Sequence, residues 1–272
     1  MQPVIIFTYN RPDHLFKSIK SLKKNNSFSK IKFFIIQDKL KNFYSIIVDK
    51  YKQLYKKLIS NIKVIKRTYN YGLKKNIIEE VSLILKKHKK VIVCEDDLIF
   101  HKDFLNYMNF MLEKYSKDKR ISSVSGFSYV QKNQFNLFSD EYLLTLTSSW
   151  GWAIKREHCK DFLNLCSNKY KKILFKDKKL QHSFNYDDAH SHTLWLKKNS
   201  LKKISSWNIE WEFYNFIKKY YTLYPNFKFE MNKIKIDKIS ENLSFRNAIK
   251  KNIQDNFVKK IVYYNYTWQT YG

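Results

Sequence analysis

Cysteine, proline and glycine are all scarce in this chain of 272 residues, with three, three and four copies. Cys94, Cys159 and Cys166 are spread out and form no CxxC pair, so neither a disulfide framework nor a zinc site is indicated. The expected compartment is reducing. So few glycines and prolines argue against long structureless linkers. Acids are also in the minority, 24 against 52 lysines and arginines. No window approaches the ~18–20 uninterrupted apolar residues of a membrane-spanning helix. The opening MQPVIIFTYN has neither the basic region nor the apolar length of an export signal. The expectation is a protein made and kept in the cytoplasm.

What is present is apolar and aromatic: 44% hydrophobic residues and 17% aromatic ones. That supports a substantial core and excludes a disordered chain. The net charge of +28 fits polyanionic company such as nucleic acid, an anionic membrane surface or phosphorylated substrates. The joint abundance of Lys, Asn, Ile, Tyr and Phe fits a coding bias equally well, and that explanation needs no partner.

Along the chain, PVIIFTY (3–9) reads as a buried strand ending in the turn Asn10-Arg11-Pro12-Asp13. Leu15, Ile19 and Leu22 then follow at helical spacing. IKFFIIQD is a second strand ending at Asp38. A helix over 42–60, a strand over 62–65, the loop RTYNYGL and a helix over 74–87 lead into KKVIVCEDD. Continuous apolar strands alternating with helices predict an α/β fold with a mostly parallel central sheet flanked by helices. In such sheets ligands bind beyond the carboxyl ends of the strands. Four strand ends, carrying Tyr9-Asn10-Arg11, Asp38, Arg67-Thr68-Tyr69 and Glu95-Asp96-Asp97, are expected to converge on one crevice. Beyond residue 100 we read a helix over 104–115, a strand and turn over 121–129, and strand, aromatic turn and strand over 143–156. Helices are read from about 157 and over 185–197. Residues 204–217 are aromatic-rich without a clear assignment, and the chain from 218 is rich in Lys, Tyr and Asn. Residues 1–217 are expected to form one domain, with a nucleotide-binding half (1–100) and an acceptor-side half (101–217). Residues 218–272 would be a basic, aromatic extension packed on that domain or touching membrane.

The stretch VIVCEDDLIF gathers three carboxylates at a strand tip. Two like charges about 4 Å apart repel by ~1 kcal/mol in water and ~4 kcal/mol near a protein surface. A shared cation relieves that repulsion. Mg²⁺ and Mn²⁺ take oxygen ligands, often one or two carboxylates completed by substrate phosphates. The acids can also favour the positive end of the next helix without any ligand.

Other motifs have similarly plain readings. Asp187 and Asp188 can cap a helix, and Asp13 can do the same. Trp150 and Trp152, on either side of Gly151, can be core aromatics or flat surfaces for a sugar. His190 and His192 can be ordinary satisfied residues or site groups. Trp207 and Trp211 read as core and Cys94 as buried and inert. The runs KSIKSLKK, KYKQLYKK and KKHKK read as solvated helix faces.

Taken together, PVIIFTYNRPDHLFKSIKSL, RTYNYGL before a helix, VIVCEDDLIF and SSWGWAIKRE resemble inverting glycosyltransferases of the Rossmann-like GT-A fold. The similarity is to the N-acetylglucosaminyltransferase I group and to family 2-like bacterial polysaccharide glycosyltransferases, over roughly residues 1–215. The resemblance implies a nucleotide-sugar site lined by Thr8, Asn10, Arg11, Asp38, Arg67, Tyr69, Glu95 and Asp96. Asp38 would accept from the nucleobase, and Asp97 would coordinate Mn²⁺ or Mg²⁺. It places Trp150, Gly151 and Trp152 on the acceptor side. NYDDAHSHTLW is similar to the group's WDDW-type segment, with Tyr186 and Ala189 where tryptophans stand. That implies Asp188 as the catalytic base, with Asp187 second. The implied partners are a nucleoside-diphosphate sugar, a glycan or lipid-linked glycan acceptor and an anionic membrane surface on the inner face of the cell membrane. No nucleic acid is implied.

Two other functions fit some of these features. A nucleic-acid-binding protein or metal-dependent nuclease would use the charge, the tyrosines and the clustered acids, but no recognition motif is present. A nucleotidyltransferase would carry a glycine-rich loop after the first strand, where this chain has TYNRPDH.

Overall fold

The computed structural model describes residues 1–40, 45–57, 61–128, 141–165 and 168–225. Its first half alternates strand and helix: β1 (Val4–Thr8), α1 (Pro12–Leu22), β2 (Phe33–Gln37), α2 (Ser45–Lys56), β3 (Ile62–Lys66), α3 (Leu73–Lys87) and β4 (Lys90–Glu95). Then come α4 (Phe104–Lys114), β5 (Ile121–Ser125), β6 (Glu141–Leu144), β7 (Trp152–Lys155) and α5 (Arg156–Leu165). The chain continues through α6 (Asn168–Lys176), α7 (Lys178–Phe184), α8 (His192–Ser200), α9 (Asn208–Lys218) and β8 (Tyr221–Pro225).

The eight strands among the described residues form one sheet in the order β3-β2-β1-β4-β7-β5-β8-β6. The β3-β2-β1-β4 block is parallel. β7 then runs antiparallel to both β4 and β5, and β6 antiparallel to β8. The expected α/β sheet flanked by helices is therefore present, with its second half mixed.

The pleat explains the apolar runs. In β1, Val4 and Ile6 enter one core with Leu15, Ile19 and Leu22 of α1 and Leu105 and Met108 of α4. Ile5 and Phe7 enter the other, with Ile77 and Val81 of α3 and Trp211 of α9. β2 and β4 alternate in the same way, so both faces are covered and each strand must be apolar throughout. β3 lies at the sheet margin and is only half-buried, with exposed Lys63 and Lys66. Charged side chains of this kind keep an edge from pairing further.

Two expectations change, and one unassigned stretch gains a structure. β8 pairs with β5 and β6, so the sheet reaches past residue 217 and takes in residues expected in the extension. Aromatic-rich 208–218 is helix α9, whose Ile209, Trp211, Phe213 and Tyr214 are buried. The helix read over 185–197 begins at His192, because residues 186–188 adopt left-handed backbone conformations. Cys166 and residues 226–272, including the basic aromatic end, lie outside the described residues.

Candidate active site

Sheet register builds the first part of the site. β1 and β4 are parallel neighbours with Phe7 opposite Glu95, which sets Thr8 beside Asp96. The Thr8 hydroxyl donates to Asp96 Oδ2 at 2.7 Å and sits 2.7 Å from the Tyr51 hydroxyl of α2. Just past β1, Arg11 donates to Asp96 Oδ1 at 2.6 Å and to Asp97 Oδ2 at 2.9 Å. One guanidinium thus relieves the repulsion between the two aspartates.

The three acids are not equivalent. Asp96 is buried, 1% exposed. Burial pushes its carboxyl above the usual range, and Arg11 and Thr8 oppose that shift. Glu95 is pushed up to about 8, by burial first and then by Asp97 and Asp96. Asp97 is exposed and reaches solvent. Burial works against the Arg11 charge, yet Asp96 and Asp97 raise its pKa overall.

The neighbouring strand ends continue the row. Thr8 lies opposite Gln37, and Gln37 opposite Lys66, so Asp38 and Arg67 follow side by side. Their side chains are already committed. Asp38 accepts from the backbone N–H groups of Lys39, Tyr71 and Gly72 at 2.9–3.0 Å. It therefore fastens the loop after β3 to the end of β2. Arg67 donates to Asn76 and Glu80 of α3 at 2.8 and 2.6 Å and lies over the Tyr71 ring. Through these contacts both side chains shape the loop that follows β3. That loop presents Tyr69, which is 51% exposed and stacked on Tyr71. Asn10 is exposed in the turn after β1.

Because β7 is antiparallel to β4, its start lies at the same sheet edge as the acids, with Val93 opposite Trp152. Gly151 takes φ +61° and packs against Phe104. This left-handed conformation suits glycine, and it sends the two tryptophans different ways. Trp150 is 43% exposed, in edge contact with Phe127. Trp152 is buried and stacks on Trp207. Trp152 is thus a core residue and not the sugar surface expected of it. Trp207 and Trp211 are core, as read.

The Asp187/Asp188 pair caps no helix; Ser191 precedes α8. Tyr186, Asp187 and Asp188 instead form a turn with φ of 54°, 51° and 65°. Each such residue costs about 1–2 kcal/mol without glycine, and strain of this kind gathers at functional sites. His182 of α7 bridges both carboxylates, with Nδ1 2.8 Å from Asp188 and Nε2 3.5 Å from Asp187. The His182 hydrogen bond holds Asp188 below the usual carboxylate range. On the other side of the turn the Tyr186 hydroxyl lies 2.6 Å from Thr145 Oγ1. His192 is buried, its Nδ1 3.0 Å from the Phe184 carbonyl, and burial lowers its pKa to about 3. It is a neutral structural group stacked on His190.

His182 and Tyr51 escaped the sequence reading because nothing local marks them. His182 lies six positions before Asp188, a spacing that only a helix followed by this turn brings together. Tyr51 looks like one tyrosine among 20. No helix among the described residues is long and apolar enough to cross a membrane.

The sequence profile of glycosyl transferase family 2 matches residues 4–205, from β1 to just short of α9. No protein with a curated description matches the chain. Solved structures with a similar backbone include the mannosyltransferase PcManGT from Pyrobaculum calidifontis in complex with GDP-Man and Mn²⁺. It is 12% identical, over 79% of this chain and 70% of that one, with a TM-score of 0.42. S. aureus TarS 1-349 is 19% identical over 59% of this chain and 49% of its own, with a TM-score of 0.40. An active-site mutant of LgtC is 11% identical over 84% of this chain and 74% of its own, with a TM-score of 0.44. The family 2 half of the resemblance is met. The N-acetylglucosaminyltransferase I half is carried by none of these matches.

Proposed function

The chain belongs to glycosyl transferase family 2, and on that basis we propose that it moves a hexosyl or N-acetylhexosaminyl group, with inversion, from a nucleoside-diphosphate sugar to a glycan or lipid-linked glycan hydroxyl. Membership decides for a glycosyltransferase over the nuclease and nucleotidyltransferase readings. The setting is the synthesis of a bacterial surface polysaccharide, capsule or lipooligosaccharide, at the inner face of the cell membrane. The +28 charge suits a protein that works beside anionic lipid and phosphorylated donors.

One observation carries the donor half of this reading. Thr8, Arg11, Asp96 and Asp97, from two adjacent strand ends, are joined in one hydrogen-bonded cluster. Among the described residues no group of three His, Cys, Asp or Glu could hold an ion unaided. An oxygen donor set of Asp97 with Asp96 beside it nevertheless fits Mn²⁺ or Mg²⁺ whose remaining positions are filled by a diphosphate. A divalent ion bound there supplies positive charge against the leaving group. Asp97 is the exposed ligand. Thr8 fixes Asp96, and Arg11 would offer its guanidinium to the diphosphate. Tyr69, Asn10 and the loop fastened by Asp38 and Arg67 border the nucleotide, and Glu95 borders the sugar. Trp150, beside Gly151, offers its exposed ring to the acceptor. Asp188, with Asp187 beside it, takes the proton of the attacking hydroxyl.

The test is a screen of UDP-, GDP- and other nucleotide sugars with and without Mn²⁺, measuring nucleoside diphosphate release. Metal-dependent release that disappears in Asp97→Asn is expected. Unchanged release in that variant, or no release from any donor, overturns the reading.

A further inference from the structure

Among the described residues, Glu212 is a buried acid with no part in the proposed donor and acceptor sites. Glu212 lies in the middle of α9, 2% exposed, among the core residues Trp211 and Phe213. Its Oε2 accepts from the Thr147 backbone N–H and from the Thr147 hydroxyl, both at 2.6 Å. Its Oε1 faces the Tyr186 hydroxyl at 3.5 Å.

Among the described residues no Lys, Arg or His forms an ion pair with Glu212. Glu210, two residues earlier on the same helix and also buried, is paired with Lys171 at 2.7 Å and takes a hydrogen bond from Asn199. A buried carboxylate held only by neutral donors is a costly choice for stability alone. What distinguishes Glu212 is where its donors come from. Thr147 belongs to the segment that leads from β6 into Trp150 and Gly151. That segment is anchored a second time by the Tyr224 hydroxyl on the Leu146 carbonyl at 2.8 Å. Tyr186 opens the left-handed turn that carries Asp187 and Asp188, and its hydroxyl also lies 2.6 Å from Thr145.

We propose that Glu212 is a positioning residue for the transfer step, locking the Tyr186–Asp188 turn to the Thr145–Gly151 segment so that base and acceptor surface keep a fixed separation. The inference rests on the reading of Asp188 as base. Glu212 itself takes no proton from substrate. Small displacements of a catalytic group lower the rate steeply, ~100-fold for about 1 Å. They leave a donor site built on other strand ends untouched.

The test compares Glu212→Ala, Glu212→Gln, Tyr186→Phe and Asp188→Asn in the full chain. The probes are the nucleotide sugar that the screen identifies and octyl β-galactoside or octyl β-N-acetylglucosaminide as acceptor. Glu212→Ala and Tyr186→Phe should lower kcat by ~10- to ~100-fold and shift the balance from transfer toward donor hydrolysis. Their nucleoside diphosphate Kd should stay within about twofold, because no donor-site group is removed. Glu212→Gln keeps an oxygen for both Thr147 donors and should recover most of kcat. A parallel loss of nucleotide affinity and kcat would mean a merely structural role. If Glu212→Ala does not fold, Tyr186→Phe decides, since it removes one half-buried hydroxyl. An inactive Asp188→Asn beside a fully active Tyr186→Phe and Glu212→Ala sinks the positioning role alone. A fully active Asp188→Asn sinks the base assignment and this inference with it.

Discussion

Thr8 and Asp96 stand 88 positions apart in the chain, yet the threonine hydroxyl donates to the aspartate at 2.7 Å. The bond exists because β1 and β4 are parallel neighbours in a register that ends both strands at the same level. Thr8→Val keeps the shape and removes the donor. With Asp96 buried, the expected cost is about 1–3 kcal/mol, read as a lower Tm. Nucleoside diphosphate affinity should fall as well, because Asp96 is no longer fixed.

Asp97 is the exposed member of the acidic tip, with a side chain 34% accessible. Asp97→Asn should therefore leave stability within about 0.5 kcal/mol of the parent. Titration of the variant with a nucleoside diphosphate should show that added Mn²⁺ no longer strengthens binding. A variant that keeps the full Mn²⁺ effect would remove Asp97 from the metal site.

Asp188→Asn should lower kcat by ~10²- to ~10⁴-fold, the usual contribution of general base catalysis, with donor affinity unchanged. Asp187→Asn should cost less. His182→Ala removes the bond that holds the Asp188 carboxyl down. The Asp188 pKa should rise, and the acid limb of the pH–rate profile should move to higher pH.

Glu212 gives a prediction for stability that does not involve substrate. Burial raises its pKa from the ordinary 4.5 to about 7. The folded state thus holds this proton more tightly than the unfolded chain. Its contribution is complete below about pH 4.5 and declines as the pH rises toward 7. The change is on the order of 3 kcal/mol over that window. Glu212→Gln should flatten the fall in Tm between about pH 5 and pH 8; an unchanged slope would contradict the burial argument.

Gly126 tests the close packing behind the aromatic turn. Its N–H donates to the Gly151 carbonyl at 2.6 Å, and a Cβ there would overlap the Phe104 ring. Phe104 is buried in the core and cannot move away freely. Gly126→Ala should destabilise by about 1–3 kcal/mol, the usual penalty of overpacking, as measured by chemical denaturation.

Local patterns in the chain were enough to specify the strands of the first half, the helices between them and the acidic tip of β4. A strand covered on both faces must be apolar at every position, and Glu95, Asp96 and Asp97 are adjacent in the chain. Family membership was legible for the same reason, since the motifs lie in order along residues 4–205. What those residues touch was settled only by folding. Asp38 and Arg67 stand at the strand ends where they were expected, but pairing across the sheet gives Asp38 three backbone amides and Arg67 two partners on α3. Trp150 and Trp152 look alike in sequence, and the positive φ of Gly151 sends one to solvent and the other into the core. The Asp187/Asp188 turn, its His182 bridge and its link to Glu212 depend on three left-handed residues and on contacts between separate segments. Neither backbone handedness at non-glycine residues nor long-range register is written in local periodicity, so the contacts of this turn became visible only once the chain was folded.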